Sequence, residues 1–204
     1  MRINLDARSM TRFKAIFFVL CLYPLVRWLY LAWEDSLTAN PPEFLIRSSG
    51  IWCLVLLCVT LSITPLRRWT GQASLIRLRR MAGLFSLFYA VLHTFAWALW
   101  EQGLSWKLMW QDVCQRPFVA WGVVAVLLML WLGITSTQAW MRRLGKKWQR
   151  LHRAVYGIAL LSLWHFYLIR LGKNNFSEVW VYGAIIAVLL LLRVLWAWQR
   201  RRSV

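Results

Sequence analysis

Residues 118–137, FVAWGVVAVLLMLWLGITST, decide the solvent in which this chain folds. No side chain in this run is charged. At a helical rise of about 1.5 Å per residue, a run of that length crosses the ~30 Å hydrocarbon core of a bilayer. Working outward from it, five more runs of comparable length lie at about residues 13–33, 50–66, 81–100, 151–169 and 179–198. Apart from Lys14 at the rim of the first, none contains Asp, Glu or Lys. The first run follows basic residues as a secretory signal would, but it is longer than a signal core, and no small-residue cleavage pattern follows before Glu34 and Asp35. It reads as an uncleaved helix. The expected fold is all-α, an integral membrane six-helix bundle, with residues 1–204 forming a single transmembrane domain.

Composition agrees. The 204 residues are 60% hydrophobic and 16% charged, with a mean hydropathy of +0.52, which excludes a water-soluble globule. Sixteen tryptophans fit a membrane protein, because the indole ring favours the boundary between hydrocarbon and water. The net charge of +18 raises the question of a polyanionic partner. Its distribution answers it.

Nineteen of the 25 Lys and Arg residues fall at alternate ends of the spans: around the start of the first, at 67–80, at 142–153 and at 193–202. Only Arg47, Lys107, Arg116, Arg170 and Lys173 fall on the other side, and Arg27 lies within the first span. The positive-inside rule places both termini and the two long basic loops in the cytoplasm. Six of the seven acids (Glu34, Asp35, Glu43, Glu101, Asp112 and Glu178) fall outside, leaving Asp6 inside. Orientation signals alone thus explain the charge, and no nucleic-acid partner is expected.

Several chemistries are excluded by spacing. Cys21, Cys53, Cys58 and Cys114 form no C-x-x-C pair, so they read as packing residues. Even the closest glycines, such as Gly122 and Gly133, are too widely spaced for the G-x-G-x-x-G turn or the P-loop. There is no H-E-x-x-H and no pair of carboxylates within a span. No internal repeat is evident in the residues. Lys14, Arg153 and Arg193 belong with the basic span ends, and the ionisable groups deeper in the spans are His93, His152 and His165, with Arg27.

His93 follows Arg80 at almost the same interval as His165 follows Arg153, so the two imidazoles are expected at nearly one depth on the third and fifth spans. Two imidazoles so placed suit the axial positions of a haem iron. A histidine on an apolar helix also serves as an interhelical hydrogen-bonding group, and the pattern alone leaves both readings open. His152 precedes His165 on the same span, about 19.5 Å nearer the inner face and ~140° around an uninterrupted helix. Arg27 reads either as a snorkelling side chain or as a partner for a haem propionate.

Residues 134–156, ITSTQAWMRRLGKKWQRLHRAVY, together with ITPLRRW from Ile63, SLIRLRRMAGL from Ser74 and FYAVLHTFAW from Phe88, closely resemble the MsrQ family of the wider ferric-reductase-like transmembrane group. The resemblance covers about residues 45–167. It implies b-type haem on histidines at the positions of His93, His152 and His165, an associated FMN, and no catalytic domain within the chain. It also implies a bacterial inner-membrane location and a periplasmic molybdopterin methionine-sulfoxide reductase, MsrP-like, as electron acceptor in the repair of oxidised envelope proteins. Electrons would enter from the quinone pool or a cytosolic flavin reductase. The basic residues are first of all orientation charges meeting membrane lipid. Arg77, Arg79, Arg80, Arg143 and Lys147 are candidates for an FMN phosphate or a haem propionate, since guanidinium and ammonium groups suit such anions. The wider group often carries four histidine ligands; here Arg79 or Arg80 stands where the fourth would lie. Two other classes share these features: another b-type cytochrome or metal-ion reductase subunit, and a non-redox membrane scaffold or small transporter.

Overall fold

A computed structural model describes residues 7–202; Arg2 and Asp6, which entered the charge balance, lie outside them. Six helical segments are long and apolar enough to cross a membrane: Ser9–Trp33, Pro41–Thr70, Ala73–Glu101, Pro117–Ile134, Lys146–Leu171 and Ser177–Arg202. Each overlaps one expected run, and there is no strand among the described residues. The chain divides into two compact units, Met1–Met109 and Trp110–Val204.

The first unit contains α1 (Ala7–Trp33), α2 (Pro41–Thr70) and α3 (Ile76–Ala96). The start of α2 is specified locally: Pro41 and Pro42 occupy positions that need no amide hydrogen, and the Asn40 side chain accepts from the Glu43 amide at 3.3 Å. Its end is set by Gly71 at φ 70°, the left-handed conformation glycine adopts without a Cβ clash. A 3₁₀ turn, Ala73–Leu75, then leads into α3. α2 and α3 form the main packed pair, with Leu56, Leu61, Ala82 and Tyr89 almost wholly buried. Hydrocarbon offers no water to a polar group, so the contacts between helices include Ser86 Oγ donating to the Cys53 carbonyl at 2.9 Å.

α1 is bonded to both helices of this pair: the Trp28 indole donates to Ser48 Oγ of α2 at 3.1 Å, and a buried bond ties it to α3. Pro24 lies inside α1, where it removes a backbone donor and loosens the preceding turn. The Tyr89 hydroxyl of α3 donates to the Cys21 carbonyl in that turn at 2.7 Å, and the Tyr89 ring packs edge-on to Trp28 at 5.7 Å.

In the second unit, α5 (Pro117–Ile134) pairs with α8 (Ala154–Leu171), and α8 with α9 (Ser177–Arg202). Arg170, buried near the end of α8, pairs with Glu178 in the first turn of α9. α4 (Trp106–Gln115) precedes α5, and the short helices α6 (Gln138–Leu144) and α7 (Lys146–Leu151) connect α5 to α8. Gly145, at φ 49°, makes the bend between α6 and α7. The fifth expected run is therefore not one helix. α7 ends at Leu151, and His152 at φ −70°, ψ −3° begins a turn before α8. The ~140° separation of His152 and His165, which assumed an unbroken helix, does not hold. The four cysteines are all unpaired as disulfides, as expected of packing residues, although Cys114 is exposed.

Replacing Tyr89 with Phe leaves the volume and removes the α1–α3 bond. A cost of about 1 kcal/mol is expected, read as a midpoint of thermal unfolding in detergent a few degrees lower; an unchanged midpoint would show that the Cys21 carbonyl finds another donor.

Candidate functional site

His93 sits on α3 facing α2. Its Nδ1 lies 2.8 Å from the carbonyl oxygen of Ile46, and a carbonyl only accepts, so Nδ1 carries the proton and donates. That choice of tautomer leaves the lone pair on Nε2. To reach the carbonyl the ring lies against the same turn of α2, whose next residue on that face is Gly50. A Cβ built at Gly50 would meet the His93 ring at 3.1 Å.

His165 has the same surroundings in the second unit. Its Nδ1 donates to the Phe118 carbonyl at 2.6 Å, and a Cβ at Gly122 would meet its ring at 2.8 Å. The steps from Ile46 to Phe118, from Gly50 to Gly122 and from His93 to His165 are identical in length. Each unit thus builds one histidine seat from a carbonyl acceptor, a glycine one helical turn later, and an imidazole from the partner helix. The sequence showed no convincing repeat because a backbone carbonyl has no residue signature and only the glycine and the histidine recur. The equal spacing from Gly50 to His93 and from Gly122 to His165 is the signal that would have exposed it.

His152 is held differently. Its Nε2 lies 3.2 Å from Ser136 Oγ, and that hydroxyl donates its one hydrogen to the Leu132 carbonyl at 2.7 Å. Nε2 of His152 is therefore the donor, and the lone pair lies on Nδ1, the reverse of the other two. The ring rests on Trp148 with centroids 3.9 Å apart, while the Trp148 indole donates to the Thr135 carbonyl at 2.9 Å. In the register that superposes His93 on His165, Arg80 stands at the His152 position and Thr64 at that of Ser136. The first unit thus has no histidine at the position matching His152, and the register selects Arg80, not Arg79, as the residue there.

The charged candidates are dispersed. Arg27 is exposed on α1. Arg77 and Arg80 are exposed at the start of α3, where they line a groove against α1, whereas Arg79 is half-buried. Arg143 on α6 is exposed with its guanidinium 5.2 Å from the Trp140 ring, and Lys147 on α7 is exposed beyond Gly145. No group of three His, Cys, Asp or Glu side chains is gathered among the described residues. The site chemistry is that of single, oriented imidazoles. A half-buried imidazole locked by a carbonyl acceptor, with Nε2 as the basic nitrogen, is suited to axial ligation of a haem iron, since the hydrogen bond fixes ring direction and raises ligand basicity.

Comparison with known proteins agrees with this class. The family described as "Ferric reductase like transmembrane component" matches residues 49–163. The chain is 54% identical over 199 residues to a Bordetella pertussis protein named protein-methionine-sulfoxide reductase heme-binding subunit MsrQ, covering 98% of this chain and 96% of that protein. Proteins of the same name from Ralstonia nicotianae and Xanthomonas axonopodis pv. citri are 46% and 44% identical, covering 98% and 79% of this chain and 92% and 73% of their own lengths. No solved structure matches. The fold and site define a multi-pass bacterial membrane protein of the ferric-reductase-like transmembrane group. Within that group the chain belongs to the MsrQ family.

The two seats make a spectroscopic prediction. In protein labelled with ¹⁵N-histidine, the imidazole signals of His93 and His165 should report Nδ1–H tautomers and that of His152 the Nε2–H tautomer. Gly122→Ala should shift the His165 signals and leave those of His93 in place, because the ring must move away from a Cβ at 2.8 Å.

Proposed function

We propose that this chain is the haem-binding, electron-transfer membrane subunit of a methionine-sulfoxide reductase system, with His93 and His165 as haem ligands. The observation that carries the reading is the repeated histidine seat: two imidazoles, each with Nδ1 committed to a backbone carbonyl and each admitted by a glycine. A purely structural histidine needs no such duplication of tautomer and clearance. The family membership supports the same reading, since the relatives are named as heme-binding subunits.

Haem b, when bound, supplies one-electron chemistry at its iron. The rest is done by the chain. The Ile46 and Phe118 carbonyls orient the two rings and hold their Nδ1 protons, so that Nε2 is the donor to a metal. The apolar helices keep water from the rings, which limits side reactions and the polarity of the site. The excess of Lys and Arg at one set of span ends supports an orientation with the termini in the cytoplasm of an inner-membrane protein, and in this reading electrons pass outward. The acceptor is a periplasmic molybdopterin enzyme, MsrP-like, that reduces methionine sulfoxide in envelope proteins; the donor is the quinone pool or a cytosolic flavin reductase. In this reading the whole chain is one haem-binding domain that leaves substrate reduction to its partner. FMN, as a second carrier, would be held by Arg143 and Lys147, whose cationic groups offer donors to a phosphate. His152, with the opposite tautomer and an indole against its ring, is assigned as a relay near the basic loops and not as a haem ligand. Arg27, exposed on α1, is assigned to the membrane interface, not to a propionate.

The test is the absorbance spectrum of the purified chain. A dithionite-reduced b-type Soret and α band is expected, and its absence ends the proposal. His93→Ala and His165→Ala should each abolish that haem, whereas His152→Ala should retain it and slow its reduction by the cytosolic donor. Gly122→Ala should weaken haem retention about 10- to 100-fold and shift the midpoint potential, with Gly50→Ala milder because its clearance is larger. Reoxidation of the reduced chain by a periplasmic partner turning over methionine sulfoxide checks the acceptor.

A further inference from the structure

We propose that the groove between α1 and α3 is a binding site for one anionic phospholipid, its phosphate held by Lys14, Arg77 and Arg80 and an acyl chain lying along Phe18, Leu84 and Phe88. The groove measures about 560 Å³ and is lined only by these three cations and by Phe, Leu and Met side chains. The packing of Phe18 on Phe85, with ring centroids 5.2 Å apart, sets the register of the parallel helices. Lys14 lies one turn before Phe18 and Arg80 a little over one turn before Phe85, so the three cations gather at one end. From Arg77 to Phe88 the wall runs about 16 Å along the helix, with no neutral hydrogen-bonding side chain in the groove beyond the cations.

This combination of a cationic mouth and a hydrocarbon wall selects the ligand. No carboxylate pairs with Lys14, Arg77 or Arg80 among the described residues, so an anion there would be compensated by three positive charges. An FMN phosphate would satisfy the same mouth, but the carbonyl and ring-nitrogen edge of an isoalloxazine would then be buried against Phe and Leu without partners. A neutral quinone has no use for three cations. A phospholipid matches both parts, with a phosphodiester at the basic end and methylenes along the rest. The family reading of the chain is not needed for this step, which rests on the spans alone.

Native mass spectrometry of the full chain, released from micelles containing equal amounts of phosphatidylglycerol and phosphatidylcholine of the same chain length, tests it. One phosphatidylglycerol should be retained in preference to phosphatidylcholine. Lys14→Gln/Arg77→Gln/Arg80→Gln should lower that retention about tenfold or more. The equally charged control Arg67→Gln/Arg142→Gln/Arg201→Gln should not. Leu84→Trp keeps every cation and fills the groove, and it should also lose the lipid while unfolding at the parental temperature. Equal retention of the two lipids, equal loss in the control triple, or full retention in Leu84→Trp would overturn the site. Displacement of the lipid by added FMN would reassign the groove to a flavin phosphate.

Discussion

A hydrogen bond from an imidazole Nδ1 to a helix carbonyl is the contact around which each half of this chain is arranged. That carbonyl already accepts the amide of the residue one turn on in its own helix, so the imidazole must come in over the residue carrying that amide. Both Gly50 and Gly122 occupy that position, where a Cβ would crowd the ring at 3.1 Å and displace it at 2.8 Å respectively. The bond determines which nitrogen carries the proton, and the tautomer determines which nitrogen can meet a metal. The helix pairing, the glycine and the ligand chemistry are therefore one arrangement, and a change in any of them moves the ring.

Hydrocarbon imposes a similar discipline on the surroundings. Pro24 frees part of a turn of α1, and the Tyr89 hydroxyl occupies the Cys21 carbonyl beside it. Ser86, Thr60, Thr94 and Ser136 spend their hydroxyls on backbone carbonyls. The two units share one histidine seat but diverge nearer the basic loops. The second unit places His152 on Trp148, where the first places Arg80 in the groove between α1 and α3.

The spans were readable because they depend on the length and polarity of continuous runs, which a single pass along the chain measures. The three histidines stood out for the same reason, as rare ionisable groups in apolar surroundings. The break at His152 was harder to read. Gly145 and the Thr135–Thr137 cluster were its only local marks, and a basic apolar segment reads equally well as one helix. The common seat of His93 and His165 was missed because its acceptors, Ile46 and Phe118, take part through main-chain oxygen, which every residue has.

Composition and order of residues by themselves determined that the chain lives in a membrane, which side is basic, and which few side chains can do chemistry there. Those properties are sums over local runs and survive without knowing what packs on what. Tertiary structure decided which nitrogen of each histidine is protonated, which glycine makes room for which ring, and that Lys14 joins Arg77 and Arg80 across a groove. These depend on contacts between residues far apart in the chain, whose geometry no local pattern encodes.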